Sequence, residues 1–155
     1  MRKLSLIVIT STSLLYTACE SNPDLSESQF EHHATIPGGC NGQDFNEKSA
    51  SLEYSDTIIL SRTEDTLNVF VGINYICCAP FTTSVEVEND SLLLEITDTC
   101  TNPYESCYCR CTCYYTFDFQ FVNYQNREYS FQVVLDDPRE SKPEIIFTGK
   151  VNPLP

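Results

Sequence analysis

The sequence predicts an all-β domain: an antiparallel β-sandwich of immunoglobulin-like layout, with about seven strands and disulfide cross-links. Three observations carry this expectation. Apolar and polar residues alternate with period two along most of the chain after residue 50, and that period sends alternate side chains to opposite faces of an extended strand. The alternating runs are rich in Val, Ile, Thr, Phe and Tyr, with turn residues between them, which is strand composition. Nine cysteines in 155 residues supply the means of cross-linking. No window of comparable length shows helical spacing.

The expected strands run, in order, over Ser51–Leu60, Leu67–Cys77, Thr82–Glu88, Ser91–Thr97, Cys107–Val122, Tyr129–Leu135 and Glu144–Val151. Asn89-Asp90, between Val85-x-Val87 and Leu92-x-Leu94-x-Ile96, is a hairpin signal. Tyr129, opening Tyr129-x-Phe131-x-Val133 after a polar loop, resembles the tyrosine corner of such sandwiches, and an ordinary inward-facing tyrosine fits equally well.

The most informative stretch is Cys107 to Phe121. One register reads Cys107, Cys109, Cys111, Cys113, Tyr115, Phe117, Phe119, Phe121, and the other reads Tyr108, Arg110, Thr112, Tyr114, Thr116, Asp118, Gln120. On an extended strand all four thiols then point one way. Successive thiols on one face would lie about 6.6–6.8 Å apart with parallel side-chain vectors, which is poor geometry for bridging one another. Each therefore needs a partner among Cys40, Cys77, Cys78 and Cys100. Cys77 and Cys78 are adjacent, so both can pair inward only where a bulge or turn re-aims one of them, and Ala79-Pro80 follows at once. Cys100 and Cys107 flank a short loop that a bridge could close.

The first residues carry a separate message. Arg2 and Lys3 precede twelve uncharged residues, Leu4 to Leu15, and then Tyr16-Thr17-Ala18-Cys19. A charged start, a short apolar run and small residues form the layout of a secretory signal peptide, and the run is too short to span a bilayer. Small residues before a cysteine resemble the lipobox of bacterial lipoproteins. That resemblance implies cleavage after residue 18 and acylation of Cys19, with palmitate among the chains, Tyr16 standing where those proteins prefer Leu. The expected organisation is a signal peptide over 1–18, a flexible tether over 19–36 and a Cys-rich sandwich over 37–155. An exported chain meets oxidising conditions, so the remaining cysteines read as disulfides rather than metal ligands. Residues 1–18 hold two of the nine basic residues and none of the 22 acidic ones. The mature charge is thus 7 − 22 = −15. Such a charge argues against nucleic acid and against an anionic lipid surface, leaving the N-terminal lipid as the membrane contact.

Asn74-x-x-Cys77-Cys78, followed by Cys109-x-Cys111-x-Cys113-Tyr114-Tyr115 and then Tyr129-x-Phe131-x-Val133, resembles a family of small, uncharacterised bacterial lipoproteins. The resemblance implies fold and location only. Cys40, Cys100 and Cys107 lie outside its shared pattern.

Chemistry is sparse. Both histidines, His32 and His33, fall in the expected tether, which argues against triad catalysis and most catalytic zinc sites. No phosphate-binding glycine loop is present. Catalysis, cofactor and metal are all expected to be absent. The expected function is a non-catalytic binding or structural accessory module, anchored on the outer membrane and facing an envelope or extracellular partner. Its candidate contact residues are Tyr108, Arg110 and Tyr114, since tyrosine and arginine are favoured at interfaces. Two alternatives are a thiol-based metal-handling or redox-buffering lipoprotein and an inhibitor of hydrolases presenting the loop Thr99–Ser106.

Overall fold

The computed structural model describes residues 29–40, 55–102 and 107–153. The expected signal peptide, Cys19 and the first four residues of the expected strand at 51 lie outside these. Eight strands form among the described residues: β1 Glu31–Cys40, β2 Thr57–Arg62, β3 Thr66–Ile76, β4 Phe81–Glu88, β5 Ser91–Asp98, β6 Thr112–Val122, β7 Tyr129–Asp136 and β8 Glu144–Val151. They make two four-stranded sheets, ordered β1-β6-β3-β2 and β4-β5-β7-β8. The fold class is the disulfide-stabilised β-sandwich that the alternation demands.

The core is the sum of the inward registers. Leu67, Val69, Val71 and Ile73 on β3 and Phe117, Phe119 and Phe121 on β6 come from one sheet. Leu92, Leu94 and Ile96 on β5 and Phe131 and Val133 on β7 come from the other. Each has 5% or less of its surface exposed, and burying one such side chain stabilises the fold by about 1.5–3 kcal/mol. Asn89 takes φ 53° between β4 and β5. That left-handed turn is one that asparagine tolerates, which is why Asn89-Asp90 closes the hairpin.

Three features depart from the sequence reading. First, β1 takes in residues 31–36 of the expected tether. Phe30 is 4% exposed and stacks on Phe121, with ring centroids 5.4 Å apart. β1 then pairs with β6, Ile36 opposite Asp118 and Thr35 opposite Phe119. Among the described residues, Phe30 and residues 31–36 thus pack with the sandwich, ahead of residue 37. His32 and His33 belong to it, so their supposed place in a tether no longer argues against histidine chemistry. His32 shares a 2.9 Å hydrogen bond with Thr35, and its ring meets Phe121 edge-on. β1 escaped notice because it is an edge strand whose outer positions are solvated, so its polar composition reads as linker.

Second, β5 and β7 run parallel, Leu92 opposite Phe131 and Ile96 opposite Leu135, so the second sheet is mixed. Third, β6 begins at Thr112 and residues 107–111 leave the strand. Tyr129 is the plain inward-facing case. It is fully buried, and its hydroxyl accepts a 3.1 Å hydrogen bond from Arg127 Nε. Tyr124, not Tyr129, donates its hydroxyl to backbone, at the Arg127 and Asn152 carbonyls.

Candidate functional site

The polar and sulfur chemistry gathers at one end of the sandwich, and the strand registers explain why. The inward register of β3 runs Leu67, Val69, Val71, Ile73 and then Tyr75. That of β5 runs Leu92, Leu94, Ile96 and then Asp98. That of β7 runs Tyr129, Phe131, Val133, Leu135 and, one residue beyond the strand, Asp137. Parallel pairing of β5 with β7 places Thr97 opposite Asp136, so the two following carboxylates emerge at the same end.

Asp98 is 4% exposed and accepts three hydrogen bonds. Tyr75 donates to its Oδ2 at 3.0 Å and Tyr108 to the same oxygen at 2.7 Å. The Cys100 amide donates to Oδ1 at 2.9 Å. Asp137 takes Arg139 in a fork, Nε at 2.9 Å to Oδ1 and Nη2 at 2.6 Å to Oδ2, the bidentate geometry that makes such pairs strong. The same guanidinium lies 4.7 Å from the Tyr75 ring centroid and 5.3 Å from that of Tyr108, within cation–π range. Two carboxylates, two phenols and one guanidinium thus close on each other. Tyr75 reaches across from the first sheet to Asp98 on the second.

The environment biases each proton. Burial pushes the Tyr75 phenol far up, reinforced by the nearby Asp137 and Asp98 carboxylates. Burial, then Asp98, pushes Tyr108 up to about 12. Burial would raise the Asp137 carboxyl, but the hydrogen bonds from Arg139 outweigh it and hold it below its ordinary value. At neutral pH both phenols are therefore firmly protonated donors, not nucleophiles. The arrangement acts as a clamp.

The cystines sit beside this clamp. Cys77 bridges Cys111, Cys78 bridges Cys109 and Cys100 bridges Cys107, with Cα separations of 5.3, 5.5 and 5.8 Å. Each bridge joins the 107–113 run to one of the three partners Cys77, Cys78 and Cys100. Cys113 is disulfide-bonded as well, and Cys40 is placed by its backbone at the end of β1. Cys78 takes φ 69°, and this left-handed turn is what lets adjacent cysteines serve different bridges. Closing a loop over a sequence separation of 34, as Cys77–Cys111 does, contributes about 3–4 kcal/mol in the chain-entropy model.

The bridges also undo the expected contact face. They draw residues 107–111 off the strand onto the Cys77–Cys78 turn, where the Cys77 amide donates to the Cys111 carbonyl at 2.9 Å and the Cys109 amide to the Cys77 carbonyl at 3.0 Å. Tyr108 consequently turns inward to Asp98. Arg110 is exposed, and Tyr114 lies over Gly72 on the outer face of the first sheet, where any β-carbon would strike its ring. Tyr108, Arg110 and Tyr114 thus do not share one face.

Sequence reasoning missed Asp98, Asp137 and Arg139. A signal for the first two existed, because a carboxylate that continues an apolar inward register is out of character for a core position. Among the described residues the densest set of metal-type donors is Cys77, Cys111 and Cys113, with sulfurs within 4.8 Å of one another. Two of these are joined as a disulfide, and metal ligation requires thiolate. A separate groove of about 320 Å³ crosses the outer face of the second sheet, flanked by Glu86, Glu88 and Gln132. No protein family, curated protein or solved structure matches this chain.

Proposed function

We propose that this chain is a lipid-anchored, non-catalytic module of the bacterial cell envelope, held to the membrane through Cys19 and serving as a binding or structural accessory domain. The observation that supports this best is the locked end of the sandwich. Cystine bridges and the Tyr75–Asp98–Tyr108 and Asp137–Arg139 contacts engage the polar groups there with one another, giving a rigid frame that displays its surface. Disulfides of this density suit an oxidising compartment, in keeping with the charged, apolar and small-residue layout before Cys19. Ten residues lie between Cys19 and Phe30, and the eleven Cα–Cα steps reach at most about 40 Å, so the domain works close to the membrane face. Exposed Arg110 and Thr112, with the partly covered Tyr114, are the contact residues on this reading.

Metabolic labelling with a palmitate analogue and membrane fractionation test the anchor. Label on the wild type, with its loss and release of the protein in Cys19→Ser, is the expected result. A mature N-terminus mapped away from Cys19 overturns it. Photo-crosslinking residues placed at Arg110 and Tyr114 in intact cells test the contact face. A discrete adduct from these positions, and none from a control at Asn68, is expected. Equal labelling from all three argues against a binding role for that face.

A further inference from the structure

We infer that Cys77, Cys111 and Cys113 form a thiol–disulfide exchange site that takes electrons from a dithiol. This goes beyond the anchoring and display role. The strand ladder and the loop place three sulfurs within 4.8 Å of one another. Cys113 lies opposite Tyr75 in the β3–β6 pairing, so its inward side chain neighbours that of Cys77, two residues further along the chain from Tyr75. The Cys113 sulfur is 2.8 Å from the Cys77 sulfur, inside the roughly 3–3.5 Å separation of a near-attack arrangement. Cys77 is meanwhile bonded to Cys111. Cys77 and Cys113 are buried, at 4% and 2% exposure, whereas Cys111 is half-buried. Access is therefore graded, from Cys111 inward.

Exchange needs a thiolate to reach a disulfide sulfur. One thiolate of the dithiol attacks the accessible Cys111 sulfur. The Cys111–Cys77 bond breaks, a mixed disulfide forms on Cys111 and the electron pair leaves on Cys77. That thiolate already touches Cys113, which is itself bridged. Cys77 attacks Cys113, the Cys77–Cys113 bond forms and the former partner of Cys113 leaves as thiolate. The second thiol of the reagent then attacks the mixed disulfide, departing as a cyclic disulfide and freeing Cys111. The dithiol is oxidised by two electrons. The protein gains two thiols, one at Cys111 and one at the former partner of Cys113, and moves its inner bridge.

The test treats the purified native protein with limiting dithiothreitol, quenches with acid, alkylates, and maps bridges by mass spectrometry over time. Gain of a Cys77–Cys113 bridge, with Cys111 alkylated and Cys77 protected, is expected. Cys77 and Cys111 alkylated in step without that bridge overturns the inference. So does a Cys77–Cys111 bridge that persists after the bridge of Cys113 has been reduced. In Cys113→Ser the protection of Cys77 should vanish. Should that variant not fold, the wild type in concentrated urea replaces it, and an undiminished yield of Cys77–Cys113 there shows that the fold does not direct the exchange. None of these outcomes touches the lipid-labelling or crosslinking results, so the two readings fail separately.

Discussion

Replacing Asp98 with alanine strikes the clamp at its centre. The carboxylate accepts from Tyr75, Tyr108 and the Cys100 amide, and the three donors differ in access to water. Tyr75 and Cys100 are buried, at 6% and 3% exposure, so their donors find no solvent when Asp98 is gone. Tyr108 is half-buried and can turn to water. An orphaned buried donor costs about 1–3 kcal/mol, so two of them predict a loss of about 2–6 kcal/mol with little added by Tyr108. Tyr108→Phe should cost only about 1 kcal/mol, because Asp98 keeps two donors. Adding Tyr75→Phe to Asp98→Ala removes one orphan, and the double variant should be more stable than the sum of the two losses by about 1–3 kcal/mol. Urea unfolding with the disulfides intact reads all of this from midpoints at constant m. Asp98→Ala within about 0.5 kcal/mol of wild type, or strict additivity with Tyr75→Phe, would refute the clamp.

Phe119 is fully buried, so Phe119→Ala should lose about 3–5 kcal/mol in the same assay, whereas Asp118→Ala on the outer face should stay within about 0.5 kcal/mol. Phe30→Ala should be destabilising by about 2–4 kcal/mol, since Phe30 packs on Phe121, Tyr124 and Tyr129; no effect would restore the tether reading. The Asp137 carboxyl is held below its unfolded value by Arg139. Its contribution is therefore full above the unfolded carboxylate range and is lost as pH falls through the folded value, and Arg139→Gln should shrink the acid-side slope of stability against pH. Non-reducing mass mapping should find Cys40 joined to Cys113, the pair left once the three described bridges are assigned and Cys19 carries the lipid; a Cys40 thiol in the native protein contradicts it.

The legibility of this chain follows the reach of each interaction. The β6 core register Phe117-x-Phe119-x-Phe121 could be read directly, because side-chain alternation is a local property of an extended backbone. The hairpin at Asn89 could be read because one residue's tolerance of positive φ closes it. β1 could not, since an edge strand borrows its order from the partner it pairs with and needs no apolar face of its own on the solvent side. The alternation that would set Tyr108 beside Arg110 and Tyr114 breaks for a related reason. Local alternation predicts a continuing strand, and cross-links to Cys77 and Cys78 overrule it by fixing distant backbone positions together.

The sequence by itself determined that the chain alternates and cannot build a helical core. It also determined that its cysteines, being badly spaced to pair along one strand, must reach elsewhere. Only the tertiary structure decided that Tyr75, Asp98, Tyr108, Asp137 and Arg139 meet. Three of the apolar registers end in a polar residue, Tyr75, Asp98 and Asp137, at positions 23 and 39 residues apart, and nothing local says those ends coincide. The parallel pairing of β5 with β7 brings the two carboxylates to one end, and the packing of the two sheets sets Tyr75 against them. A charge cluster is a property of the space between strands, and no single strand encodes it.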